Sequence, residues 1–239
     1  MGEGLNILVC LKNVPETAEA ALEINESGDG VETDELVFST NEWDNYALEE
    51  SLRIREDRGG TVTVVTLGDE DAEELLRRGL AMGADVAVHL SDDDFDGSDS
   101  ATKAKVLARA MKGRDLDLVF TGVQSSDLGN GQTGVLLAQE LGWSHVTMAK
   151  RISVIGDGGN AERLEVEREL EANTLERVEI SLPAVVTIQS GINKPRYVSI
   201  MGIRKVRKKP IDERGADDLG FDAEEVGAEA AIYASRVLR

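Results

Sequence analysis

Five short apolar runs recur along the chain, at residues 6–11, 61–67, 86–90, 117–121 and 184–189. Each has the length and the Val, Ile and Leu content of a strand buried on both faces. Helical periods lie between them. The first helix is expected after the capping box Ser39-x-x-Glu42 and before Gly59-Gly60. The second follows Gly68, carries Asp69, Glu70 and Asp71 in its opening turn, where the dipole favours acid, and closes at Gly83. A third starts near Ser100, and a fourth runs from about Gln132 to a C-cap at Gly142. Strands alternating with helices predict an α/β fold, a Rossmann-like parallel sheet covered on both faces. Its ligand site would lie at the carboxyl ends of the strands.

Two regions break the alternation. Residues 20–37 read as a hairpin with a Gly-Asp-Gly turn, and residues 151–180 as a second antiparallel excursion turning at Gly156–Asn160. Beyond Pro210 the pattern becomes an acidic link and a helical stretch, Ala223 to Leu238, whose apolar positions find no partner on a completed core. The expected organisation is a nucleotide-binding domain over 1–211 and a C-terminal arm over 212–239 that packs on another subunit.

The richest segment runs from Asp117 to Trp143. A buried strand leads into a loop of small and polar residues, Gly122 to Gly131, and then into the fourth helix. A helix start leaves backbone N–H groups unpaired, and its dipole favours an anion. Glycines at 122, 129, 131 and 134 would allow close backbone approach to a ligand, while Ser125, Ser126, Asn130 and Thr133 suit ribose or phosphate. Neither the Walker A nor the G-x-G-x-x-G spacing is present. On pattern alone an ordinary strand–helix turn stays equally open.

Charge narrows the partners. There are 46 acidic and 26 basic residues, a net charge of −20, which repels nucleic acid and anionic membrane surfaces. Acid clusters at 91–100 and 215–229 read as a solvated surface adapted to high salt, with metal sites or docks for a basic partner as the alternatives. Low aromatic content (4%) and more Arg than Lys fit a halophile. No apolar run approaches the roughly 20 residues that cross a bilayer, and the start MGEGLNILVC reads as neither signal nor transit peptide, so a cytoplasmic protein of a prokaryote is expected. Cys10, the single cysteine, reads as a small buried hydrophobe. His89 and His145 have no companions at metal spacing and read as structural or surface residues, and no metal or Ser-His-Asp site is expected.

The string GVQSSDLGNGQTG (122–134) resembles the nucleotide loop of the electron transfer flavoprotein β-subunit family. Four further segments are similar to that family in the same order: NILVCLKNVPET, STNEWDNYALEESLRIRE, LAMGADVAVHL and LPAVVTIQSGINKPRYVSIMGIRKVRKKPI. Together they reach from residue 5 to about 211. The resemblance implies an adenine nucleotide alpha hydrolase-like fold and an electron carrier without catalytic residues of its own. It implies a heterodimer with an α subunit that contributes most of a shared FAD site, while this chain holds AMP. Electrons would come from flavin dehydrogenases, such as the acyl-CoA dehydrogenases of fatty acid β-oxidation, and leave to a quinone oxidoreductase.

Position by position, the implied cofactor contacts are Cys10, Asn41, Glu42, Trp43, Asp44 and Leu67, then Val123, Gln124, Ser125, Ser126, Asp127, Leu128, Gly129, Asn130, Gly131, Gln132, Thr133 and Gly134. Many relatives carry Lys or Arg where this chain has Val123, so the helix start, or a cation from elsewhere, must serve the phosphate. Val14-Pro15-Glu16-Thr17 is similar to the bifurcating branch, which holds a second FAD instead; the Asn-Gly-Gln-Thr-Gly end of the loop favours AMP. Residues 190–196 match the family's docking loop, with Ile192 at the anchor position followed by Asn193, Lys194, Pro195 and Arg196. From Lys194 to Lys209 there are seven basic residues and no acidic one, which suggests an interface with an acidic partner. The rival from another class is a stand-alone adenine-nucleotide sensor of the universal stress type. It would need a glycine-rich phosphate loop near the last strand, where this chain has NKPRY.

Overall fold

All five apolar runs become strands of one sheet, and the helical periods between them become its covering layers. The computed structural model describes residues 4–18, 20–25, 28, 30–156 and 163–230. In chain order the strands are β1 (Leu5–Cys10), β2 (Asn13–Pro15), β3 (Phe38–Thr40), β4 (Gly60–Leu67), β5 (Val86–Leu90), β6 (Leu118–Gly122), β7 (Ser144–Ile155), β8 (Arg163–Glu169), β9 (Leu175–Ser181), β10 (Ala184–Ile188) and β11 (Asp212–Arg214). The helices are α1 (Glu42–Arg58), α2 (Ala72–Met82), α3 (Ser100–Met111), α4 (Thr133–Leu141), α5 (Ile200–Val206), α6 (Ala216–Leu219) and α7 (Gly227–Ala230).

The main sheet runs β11-β5-β4-β1-β6-β10-β7-β8-β9. It is parallel from β11 to β7 and antiparallel through β8 and β9. Strand order therefore reverses between β1 and β6, where consecutive crossovers leave to opposite sides. This is the topological switch point at which open α/β sheets bind ligands.

Alternation along each strand sorts side chains into two cores. Ile7, Val9, Val62 and Val64 pack with Leu48, Leu52 and Leu76 of α1 and α2 on one face. Leu8, Val65, Val119 and Val185 pack with Leu107 and Leu137 of α3 and α4 on the other. Burying each such side chain stabilises the fold by about 1.5–3 kcal/mol.

Three expectations change. Ser39 does not cap α1: it lies in β3 opposite Val14, where its backbone is extended and paired. Asn41 takes the N-cap position, yet its side chain makes no capping bond. The expected 20–37 hairpin is reduced to an Ile24–Val31 bridge, closed at its base by the β2–β3 pair; Asp29 of its turn lies outside the described residues.

Residues 212–226, expected to leave the domain as an arm, join it instead. β11 adds in parallel to the β5 edge, and Ala216, Leu219, Phe221 and Val226 are buried in the second core. The parallel sheet left one edge and one hydrophobic margin uncovered, and this segment fills both. The 157–160 part of the excursion turn and the tail 231–239 lie outside the described residues.

The acidic run 91–100 has structural work. Asp92 accepts hydrogen bonds from the backbone of Asp94 (3.1 Å) and Ala216 (2.8 Å), Asp99 caps α3 through Thr102 N–H (2.8 Å), and Ser98 Oγ accepts from Gly227 N–H (3.1 Å). His89 is buried against the carbonyls of Gly68 and Asp69, while His145 is exposed on β7.

Candidate functional site

A cavity of about 300 Å³ opens at the carboxyl edge of the sheet, at the switch point. Cys10 and Leu11 at the end of β1, Val65 and Leu67 of β4 and Leu107 of α3 give it an apolar side. Asn41, the loop from Gly122 to Gly131 and the first residues of α4 give it a polar one. Of the residues implied from sequence, Cys10, Asn41, Asp44, Leu67, Val123, Gln124, Ser125, Leu128, Asn130, Gly131, Gln132, Thr133 and Gly134 line this space. Ser126, Asp127 and Gly129 belong to the same loop without lining it. Glu42 is exposed on the outer side of α1.

Trp43 faces a second cleft, of about 310 Å³, with Thr147, Met148, Thr187 and Gln189. Its indole Nε1–H donates to Gln189 Oε1 at 2.9 Å. Val123, Gln124 and Gly131 line both cavities, so one loop forms the partition between them.

Asp44 holds the floor together. Its carboxylate accepts the backbone N–H of Lys12, just past β1, at 2.8 Å and that of Gly122, the end of β6, at 2.9 Å. The two strands that flank the switch point are thus joined through one buried side chain. Burial pushes the Asp44 carboxyl up to about 7, against the lowering effect of its bonds from Asn41, Lys12 and Gly122. Burial, with the Asp44 charge beside it, also raises the Cys10 thiol far above its ordinary value, so Cys10 is a neutral wall of the cavity.

Asn41 turns its side chain to the loop: Nδ2–H donates to Gln124 O at 2.8 Å, and Oδ1 accepts from Ser126 N–H at 3.2 Å. That is why it leaves α1 uncapped.

The loop glycines serve different needs. A Cβ at Gly122 would meet Asp44 Oδ1 at 2.4 Å and Trp43 Cβ at 2.7 Å, and one at Gly134 would meet Thr187 and Thr121 at 2.6 and 2.7 Å. These two are small because the protein itself packs there. Gly129 and Gly131 instead take left-handed backbone, both at φ +63°.

Two lysines that the sequence reading did not assign to the site line the cavity, Lys12 and Lys103. Lys12 Nζ donates to Asp127 at 2.5 Å and to Ser125 Oγ at 3.2 Å. Although burial opposes its charge, Asp127 is held below the usual carboxylate range by Lys12 and Ser125. Lys12 stood inside a segment that carried the family resemblance. Lys103 gave no signal, because one lysine on an amphipathic helix reads as a solvated face.

The match to known proteins follows this geometry. Residues 16–219, which hold the loop, Asn41, Asp44 and Lys103, match the electron transfer flavoprotein domain. The chain belongs to the electron transfer flavoprotein family. Within it the likeness is to β-type chains. It is 41% identical over 237 residues to "Electron transfer flavoprotein subunit beta" of Methylophilus methylotrophus, covering 98% of this chain and 88% of that one. The proteins of the same name from Bacillus subtilis and Thermoanaerobacterium thermosaccharolyticum are 37% and 39% identical, covering 92% and 93% of this chain and 83% of each relative. The role shared across these electron transfer flavoprotein chains is electron transport.

The docking segment differs from its expected form. Ile192 is half-buried against the first core. Asn193 Nδ2–H donates to Tyr46 O and to Glu50, each at 3.0 Å. Arg196 is clamped onto α1 by Glu49 (2.9 Å) and Glu56 (2.7 Å), which raises its guanidinium further and lowers Glu56. Lys194 is exposed and Pro195 half-buried. The exposed apolar side chains follow later, at Tyr197 (89%), Ile200 (69%) and Met201 (69%), beside Arg204 and Lys205 of α5. Among the described residues no helix is long and apolar enough to cross a membrane.

Proposed function

We propose that this chain is the nucleotide-holding β subunit of a heterodimeric electron transfer flavoprotein, with AMP in the switch-point cavity. The observation that carries this reading is the cavity itself, apolar at Cys10, Val65 and Leu67 and polar at the start of α4. Its volume, about 300 Å³, is at the lower end of the range for ligand pockets, which suits a mononucleotide better than a dinucleotide. Adenine would lie against Leu67 and Cys10 with Asn41 near its edge. The phosphate would meet the unpaired N–H groups at Thr133 and Gly134.

The second cleft, with Trp43, Gln124 and Met148, is the part of this chain assigned to the wall of the shared FAD site. FAD, when bound, supplies the redox chemistry. The residues here shape and exclude water from its surroundings and bring no reacting group. Electrons would arrive from flavin dehydrogenases at the basic segment 194–209 and leave to a quinone oxidoreductase.

The test is chromatography of the nucleotides released by acid from the complex purified with its α subunit in high salt. AMP and FAD in equal amounts support the reading. Two FAD and no AMP would assign this cavity to a second flavin nucleotide and the complex to the bifurcating type.

A further inference from the structure

Four charged side chains line the switch-point cavity: Lys12, Asp44, Asp99 and Lys103. Three are engaged by the protein. Asp44 joins the ends of β1 and β6, Asp99 caps α3, and Lys12 is paired with Asp127. Among the described residues Lys103 forms no ion pair of its own, although it is half-buried.

Its place makes the charge costly. Lys103 is in the first turn of α3, where the helix dipole disfavours a cation. Burial, and then the neighbouring charge of Lys12, lower its ammonium below the ordinary range, and the carboxylates of Asp127 and Asp99 offset this only in part. An anion would reverse that balance. α3 packs along α4, so the opening turn of α4, with its free N–H groups, and Lys103 border the same space. Val123, on the loop opposite, offers no charge.

We infer that Lys103 is the phosphate-selecting residue of the nucleotide site, pairing with a phosphate monoester held at the start of α4. The inference rests on the mononucleotide reading above and deepens it. It places the cation on a helix, outside the nucleotide loop. Lys12 is left to hold that loop through Asp127.

The test is titration calorimetry of the full chain with AMP and with adenosine, at the lowest salt at which it stays folded. The wild type should prefer AMP by about 10- to 100-fold, the worth of a charge-assisted hydrogen bond. Lys103→Gln should lower that preference about tenfold, to what the start of α4 supplies, while adenosine binding stays the same, and Lys103→Arg should restore most of it. Thermal melts of each variant accompany the titrations, and Lys103→Met serves as a second uncharged variant.

An unchanged AMP-to-adenosine ratio in the uncharged variants overturns the inference, as does an equal loss of both ligands. Adenosine binding without AMP preference in the wild type overturns it while leaving the nucleoside site standing. Binding of neither ligand removes the mononucleotide reading and this inference together.

Discussion

Asp44→Asn tests how the switch point is held. The carboxyl is 5% exposed and accepts two backbone N–H groups. Asparagine keeps the shape, but its amide can accept only one of them and turns an N–H toward the other. Leaving one buried donor unpaired costs about 1–3 kcal/mol. A second effect runs with pH. Asp44 titrates near 7 in the fold against an ordinary value of 3.8, so the folded state holds the proton that the unfolded state has released. Its contribution is full below pH 3.8 and declines as pH rises toward 7. Integrated from pH 5 to pH 8, the wild type should lose about 2–3 kcal/mol through this group. The asparagine variant has no such loss. Urea unfolding of both proteins at pH 5 and pH 8, at constant KCl, should show the variant clearly less stable at pH 5 and close to the wild type, or above it, at pH 8. General charge repulsion is common to both proteins and cancels in the difference. Parallel stability profiles would refute the reasoning and mean that Asp44 stays ionised in the fold.

The remaining outcomes concern the loop, the C-terminal segment and the docking face. Asn41→Ala should weaken AMP binding about tenfold, since two tethers of the loop vanish, and should cost α1 little because the side chain does not cap it; calorimetry and urea melts separate the two effects. Phe221 is 4% exposed and lies under the Arg109 guanidinium at 4.5 Å, so Phe221→Ala should destabilise the isolated chain by about 3–5 kcal/mol. No loss in the isolated chain would mean that this segment is held only by a partner. Tyr197→Ala should leave stability within about 0.5 kcal/mol yet slow electron transfer from an acyl-CoA dehydrogenase. Ile192→Ala should slow transfer and also lower stability by about 1–3 kcal/mol, and a transfer rate untouched by both would remove this segment from docking.

What could be read from sequence follows from the distance over which each signal acts. Strand runs are local, so β1, β4, β5, β6 and β10 were legible to within a residue or so, and so was Gly142 as the C-cap of α4, with its φ of +66°. The loop 122–134 was legible as the wall of a cavity at the strand ends because strand, glycines and helix start are contiguous. Its glycines were legible only as glycines. That Gly122 and Gly134 yield to Asp44 and Thr187, while Gly129 and Gly131 satisfy a turn, depends on residues that approach from elsewhere in the chain.

Ser39 and Asn41 show the same limit at a helix start. Both suit a cap by type, and β2 decides between them by pairing Val14 with Ser39. The C-terminal segment needed the most remote knowledge. Whether Leu219 and Phe221 have a home depends on an edge at β5 and on acceptors at Asp92, more than a hundred residues earlier. Lys103 belongs to this last class. Its helix face looks ordinary in sequence, and its meaning comes from α4 lying alongside and from Lys12 being already paired. A cation supplied by α3 frees position 123 to be apolar. Val123 lines both cavities, and under the proposed reading an apolar partition would keep the charges of a phosphate on one side and a flavin on the other apart without a buried lysine between them.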